Sequence, residues 1–203
     1  MKQVLALLAA LAAAACLTAC TAGTNGSSSG AAAGQSSAAQ SSQQAADGIK
    51  TGLGSVISLK KSAGATAETG PAAQADVTMC AASFDSSGKI VSVQFDMAQC
   101  RVAFDKEGAV TTDLAAGVRT KRQIGDDYGM KAASGIQKEW YEQADALQHW
   151  MVGKTVEQVT GMKTVEKDEA HPKVPDEQDL KSSVTISVGD FLEALQDAYN
   201  NAR

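Results

Sequence analysis

The chain has 203 residues, of which 44% are hydrophobic and only 4% aromatic, with a net charge of −5. That length is enough for one ordinary domain with a real core. The acidic balance offers no polybasic attraction to an anionic surface and excludes nucleic acid as an expected partner.

In chain order, residues 1–19 carry a single charge, Lys2, ahead of a Leu/Ala-rich run. This is the charge-then-apolar layout of a secretory signal. The run is short for a membrane span, which takes about 20 apolar residues, and a polar tract follows at once. Its last residues, Leu17-Thr18-Ala19-Cys20, resemble the bacterial lipobox: a branched apolar residue, two small ones, then the cysteine that is acylated. Cys16 is the rival, but Ala13-Ala14-Ala15 before it lacks the branched residue. The resemblance implies loss of residues 1–19 and lipid on Cys20, whose two acyl chains suffice for stable anchoring. The expected location is extracytoplasmic, on the cell membrane. Residues 21–46 are uncharged and almost entirely Ala, Ser, Gly, Gln and Thr. Such a stretch cannot bury enough apolar surface to offset its ordering entropy, so residues 20–46 read as anchor and disordered tether, with a reach of roughly 30 Å. Residues 47–203 are the expected globular domain.

Within it, the spacing predicts a glycine-bent strand over 54–60 and a loop over 61–74. Next, Cys80-Ala-Ala-Ser-Phe84-Asp85-Ser-Ser-Gly88 matches Cys100-Arg-Val-Ala-Phe104-Asp105-Lys-Glu-Gly108. Each copy reads as a strand, then a turn in which Asp bonds the backbone two residues on and Gly accepts a positive φ. Val91, Val93, Phe95 and Met97 alternate, after which the apolar phase moves to Cys100, Val102 and Phe104. A one-residue slip turns every side chain over, so a turn or bulge is expected near 97–99 within a meander over 76–113. With the outer strands flanking the middle one, Cys80 and Cys100 would lie about 9–10 Å apart. A disulfide needs Cα atoms within about 7 Å, so two buried free thiols are expected rather than a bridge.

The second half reads as helical. Ile136, Trp140, Ala144, Leu147 and Met151 form one apolar stripe beginning after Gly135. Thr155 and Gln158 form a capping box for a short helix that Gly161 ends. The polar 163–178 segment reads as loop and 180–188 as a strand. Asp190 and Glu193 read as the cap of a last helix whose Phe191, Leu195 and Tyr199 face the core. Strands, then helices, then a strand and helix give an α+β fold: an antiparallel meander with helices packed on one face.

The segment Asp179-Leu-Lys-Ser182-Ser183-Val184-Thr185 resembles the flavinylation motif of FMN-binding domains, Asp-Gly-x-Ser/Thr-Gly-Ala-Thr. Asp179, Ser182 and Thr185 match, while Ser183 stands for Gly and Val184 for Ala. Gly88-Lys-Ile-Val-Ser-Val and Val152-Gly-Lys-Thr-Val-Glu-Gln-Val resemble that family's early strand and the short helix before its motif. The resemblance implies FMN joined to the Thr185 hydroxyl by a phosphoester, a separate flavin transferase that installs it, and a redox partner. It also implies an electron carrier rather than a catalyst with substrate chemistry of its own. Small residues let backbone amides approach the phosphate, and a nearby helix N-terminus favours the anion.

Other motifs carry less. Val152-Gly-Lys-Thr155 lacks the upstream glycine of a phosphate-binding loop, the position holding His149. No nucleophile elbow frames a serine. No spacing groups His149 and His171 with carboxylates, so metal catalysis has no ligand set. Gly125-Asp-Asp-Tyr128-Gly-Met130 reads either as a plain turn or as a loop lining a ligand pocket. Trp140, Tyr141 and Trp150 read as core or surface anchors. Two flavin-free readings stand beside the carrier: an envelope lipoprotein binding a wall component, peptide or small solute, and a structural subunit of an envelope assembly.

Overall fold

Burial alternates along Ala72–Phe84 (β2), which turns Gln74, Asp76, Thr78, Cys80, Ala82 and Phe84 to one face. In this computed structural model, which describes residues 48–203, β2 is the middle strand of an antiparallel sheet between Lys50–Ser58 (β1) and Ile90–Ala103 (β3). The expected signal, Cys20 and tether lie outside the described residues. Helices follow the sheet and a helix closes the chain, which is the α+β architecture expected from the sequence.

Both Asp-x-x-Gly turns form. Asp85 Oδ1 accepts from the amides of Ser87 (2.8 Å) and Lys89 (2.9 Å), and Asp105 Oδ1 from those of Glu107 (3.1 Å) and Ala109 (2.8 Å). Gly88 and Gly108 take φ of 78° and 90°, where an L side chain is strained. The first turn joins β2 to β3. The second returns through a single bridge, Phe104 to Val110, and so adds no strand.

Strand β3 runs without a break through 97–99. The irregularity lies at Val91, where Phe84 faces Ile90 while Ser83 faces Ser92. The apolar phase changes because the core-facing side of this sheet end is polar. Gln99 stands opposite Asp76 and Arg101 opposite Gln74, so Cys100 and Val102 fall on the outer face. The first strand begins at Lys50 rather than residue 54, and β2 already starts at Ala72, inside the expected loop.

That register separates the cysteines for a different reason from the one expected. They sit on neighbouring strands, Cys80 opposite Phe95 and Cys100 opposite Ala75, on opposite faces, about 17 Å apart along the strand. Both are free: Cys80 is buried and Cys100 only half-buried. Burial pushes the Cys80 thiol up to about 12, far from the thiolate that reacts. Domain expressed without residues 1–20, and so without Cys16 and Cys20, should therefore titrate about one accessible thiol, Cys100, when native and both Cys80 and Cys100 when denatured. Rapid native labelling of Cys80 would contradict the register.

The helical half comprises Lys121–Ile124 (α1), a 3-10 turn at Gly125–Tyr128, Met130–Ala133 (α2), Trp140–Met151 (α3), Val156–Thr160 (α4) and Gly189–Asn200 (α5). Helix α3 starts later than its apolar stripe suggests, because Glu139 caps it in a box with Glu142, leaving Ile136 in the preceding loop. Helix α4 has the expected Thr155–Gln158 box and ends at Gly161. Within 163–178, Thr164–Val165 (β4) and Val174–Pro175 (β5) pair in a small ladder. The expected strand at 180–188 does not form. The amides of Ser183 and Val184 both bond the Leu180 carbonyl in a turn, and the chain then reaches α5 through a bend at Ile186, with the Val188 amide bonded to the Lys173 carbonyl. Val184, Ile186 and Val188 are nonetheless buried, so their alternation reports packing rather than a ladder. Asp190 lies in the first turn of α5 and does not cap it; Val188 holds the N-cap position. Phe191 and Leu195 are buried, whereas Tyr199 is 42% exposed with its ring edge-on to Phe84.

Helix α5 lies on the core side of β1 and β2. Gly52 and Gly54 permit this approach, since a Cβ on either would overlap the carbonyl of Ala198 or Ala194. The C-terminal residues also cover the β1 edge: Thr51 and Arg203 exchange both backbone bonds at 3.1 Å, and Ser55 donates to Asp197 Oδ2.

Candidate functional site

The inward face of β2 changes character along its length. Cys80, Ala82 and Phe84 join the apolar core, but Gln74, Asp76 and Thr78 are buried too. Buried polar groups need partners, and two of these have them. The Asp76 carboxylate accepts from Gln74 Nε2 (2.7 Å) and pairs with Lys61 Nζ (2.7 Å), and Gln74 Oε1 accepts from Arg101 (3.1 Å). Burial pushes the Asp76 carboxyl up, but the bonds from Gln74 and Lys61 outweigh it and hold it below its ordinary value. Thr78 Oγ1 is buried with no partner among the described residues.

This polar patch borders a cavity of about 490 Å³. Asp76 and Met97 line it from the sheet, Lys121, Tyr128, Met130 and Trp140 from the helical side, Ile186, Ser187 and Phe191 from the C-terminal segment, and Glu169–Pro172 from the tip of the β4–β5 hairpin. At that tip His171 Nδ1 lies 2.7 Å from Asp168 Oδ1. Of the 125–130 segment, Tyr128 and Met130 line this cavity, and Gly125–Tyr128 forms the 3-10 turn.

Lys121 lines the cavity from the helical side. It is 8% exposed, and its Nζ lies 4.8 Å from the Tyr128 ring centre and 5.4 Å from that of Trp140. It makes no hydrogen bond or ion pair among the described residues. Burial first, then the charge of Lys61, lowers its pKa to about 8, with Asp76 opposing the shift. Burial and the charges of Asp76 and Glu139 push the Tyr128 hydroxyl upward, so that ring stays neutral.

The backbone around Lys121 is firmly held. Thr120 caps α1 in a box with Gln123. Arg122 donates to the Phe95 carbonyl (2.6 Å), Asp145 (2.7 Å) and Gln148 (2.8 Å), tying α1 to β3 and α3. The Glu139 carboxylate accepts from the amides of Met130 and Lys131, each at 2.9 Å, and fixes the Tyr128–Met130 wall to α3.

The motif residues divide. Asp179 and Ser182 are exposed on the turn, and Ser183 donates to the Leu180 carbonyl; none of the three lines the cavity. Thr185 is half-buried and immediately precedes the lining residues Ile186 and Ser187. Its amide and hydroxyl both donate to Gln143 Oε1, at 2.9 and 3.2 Å. Gln143, fully buried on α3, donates in turn to the Lys138 carbonyl, so it clamps the 185 segment to the helix. Val184 points into the core at 1% exposure.

No family model matches the chain, and no solved structure matches it. A chlorophenol reductase of Desulfitobacterium hafniense is 35% identical over 95 residues, which cover 41% of this chain and 29% of that protein. The chain thus spans less than a third of that relative's length.

Among the described residues, no group of three or more His, Cys, Asp or Glu is placed to hold a metal ion, and no helix is long and apolar enough to cross a membrane. Sequence reading missed Lys121, Asp76 and Gln143. A signal existed for two of them: Gln74, Asp76 and Thr78 share the phase of Cys80 and Phe84, and Thr120-x-x-Gln123 marks the helix start that carries Lys121.

Proposed function

We propose that this domain holds FMN at the outer face of the membrane, joined through Thr185, and carries electrons to or from a partner protein. The observation that carries the reading is the aromatic-walled cavity of about 490 Å³ whose wall begins at the residue after Thr185. Its volume falls in the range of small-molecule sites, about 300–1,000 Å³. The residues present fit the group. Lys121 is a largely buried lysine on the cavity wall with no hydrogen bond or ion pair among the described residues, and Trp140, Tyr128, Met97 and Met130 supply a flat and polarisable wall. Thr185 would carry the phosphoester, and the exposed Asp179–Ser183 turn would be what a flavin transferase recognises. The flavin supplies the redox chemistry; the chain's own residues position it and limit its contact with water. Lipid on Cys20 would keep the domain at the membrane. The partial likeness to a protein named as a reductase agrees with a redox role.

Co-expression of the secreted domain with a flavin transferase is expected to add one FMN-derived mass to the peptide containing Thr185. Thr185→Ala should abolish the added mass altogether, and Ser183→Gly, which restores the motif residue, should raise the yield. A colourless, folded domain with unmodified Thr185, even in the Ser183→Gly variant, would remove the flavin reading and leave a flavin-free binding module.

A further inference from the structure

The geometry points to Lys121 as the residue that selects the cavity's ligand: an aromatic molecule bearing a negative charge, gripped by the ammonium beside the rings of Tyr128 and Trp140. This inference rests on the reading that the cavity is the ligand site, not on the ligand being a flavin.

A largely buried lysine with no ion pair among the described residues is costly to fold around. The two rings return part of that cost through their electron-rich faces. Asp76, the carboxylate whose charge acts on Lys121, is itself engaged by Lys61 and Gln74, while Glu169 and Asp190, which also line the cavity, make no ion pair with Lys121. What remains is a cation with open donors on the wall of a cavity, next to flat apolar surface. An aromatic carboxylate, sulfonate, phosphate or phenolate supplies both missing partners, the anion for Lys121 and a ring for the aromatic wall. A neutral aromatic compound of the same shape supplies only the second.

Lys121 is also the group expected to make binding depend on pH, since burial brings its proton loss to about 8. The other titratable groups facing the cavity or Lys121 are Lys60, Lys61, Asp76, Tyr128, Glu139, Glu169, His171 and Asp190. A Lys121 variant separates their contribution from its own.

The test titrates the full chain calorimetrically with 2-naphthoate and with its neutral isostere 2-naphthalenemethanol. At pH 7 the acid is expected to bind at least tenfold tighter than the alcohol. The preference should fall about tenfold by pH 9, one unit above the lysine's pKa. Lys121→Met should erase the preference while melting no lower than the wild type. Lys121→Arg, which stays charged, should keep the preference and lose its decline at pH 9. Equal affinities for acid and alcohol, an unchanged preference in Lys121→Met, or binding of neither compound would overturn the proposal. Flavin is scored separately by the mass of the Thr185 peptide. No acid preference in flavin-free protein sinks the Lys121 proposal alone, even where co-expression places FMN on Thr185. Acid preference with no flavin in any variant sinks the flavin reading alone.

Discussion

Gly54→Ala is expected to destabilise the domain by about 2–4 kcal/mol, well above the cost of an ordinary surface substitution. A Cβ at Gly54 would overlap the Ala194 carbonyl and the Ala198 amide, and one at Gly52 the Ala198 carbonyl. These obstacles are helix backbone, so no rotamer change relieves them; α5 as a whole must lift from β1. Lifting it exposes Ala194, Leu195 and Ala198, all fully buried, and breaks the bonds from Ser55 to Asp197 and from Asn201 to the Leu53 carbonyl. Gly64→Ala is the control, because nothing lies within 4 Å of its added Cβ. It should shift the urea midpoint by less than about 0.5 kcal/mol equivalent. A Gly54→Ala variant as stable as that control would mean that α5 does not sit on β1 as described.

Lys121→Met is expected to stabilise the ligand-free protein by roughly 2–3 kcal/mol at pH 7, the opposite of what loss of a structural lysine would do. The sign follows from proton linkage. The folded state holds Lys121 at about 8 against an ordinary value of 10.5, so between those values the unfolded chain binds more protons. Wild-type stability should therefore climb, relative to the variant, as pH rises from about 8 to 10.5, and the advantage of methionine should vanish above that range. A shift of this size corresponds to roughly 3 kcal/mol when fully expressed. Other groups titrating there are common to both proteins and cancel in the difference. A Lys121→Met variant that loses stability at pH 7, or a difference that does not change across this window, would show that the lysine is held by partners and is not an unmatched charge.

Together these substitutions separate the two kinds of constraint in the molecule. The glycines serve packing, and changing them damages the fold. Lys121 opposes the fold, and a group that opposes the fold and faces a cavity is where binding is expected, since local conflicts with burial rules concentrate at functional sites.

The elements that were legible beforehand are those whose cause is local. The Asp85 and Asp105 turns follow from one carboxylate and one glycine four residues long in reach, and the Thr155–Gln158 box from two side chains on one helical turn. The apolar stripe Trp140, Ala144, Leu147 and Met151 is likewise a local repeat, and all four residues are buried. The α+β order of strands before helices could be read for the same reason. What failed depends on distant residues. The 180–188 segment alternates like a strand, yet whether it pairs depends on a neighbouring edge being free; here the core takes its apolar side chains while Gln143 on α3 takes the Thr185 amide. No bulge is needed at 97–99, because β3 there faces the polar inward residues Gln74, Asp76 and Thr78 of β2; the irregularity lies at the other end, at Val91 beside Ser83 and Phe84. The cavity itself has no sequence signature. Lys61, Asp76, Lys121, Trp140 and Ile186 come from five separate stretches of chain, and only their packing makes a buried lysine without a counter-ion out of residues that are individually unremarkable.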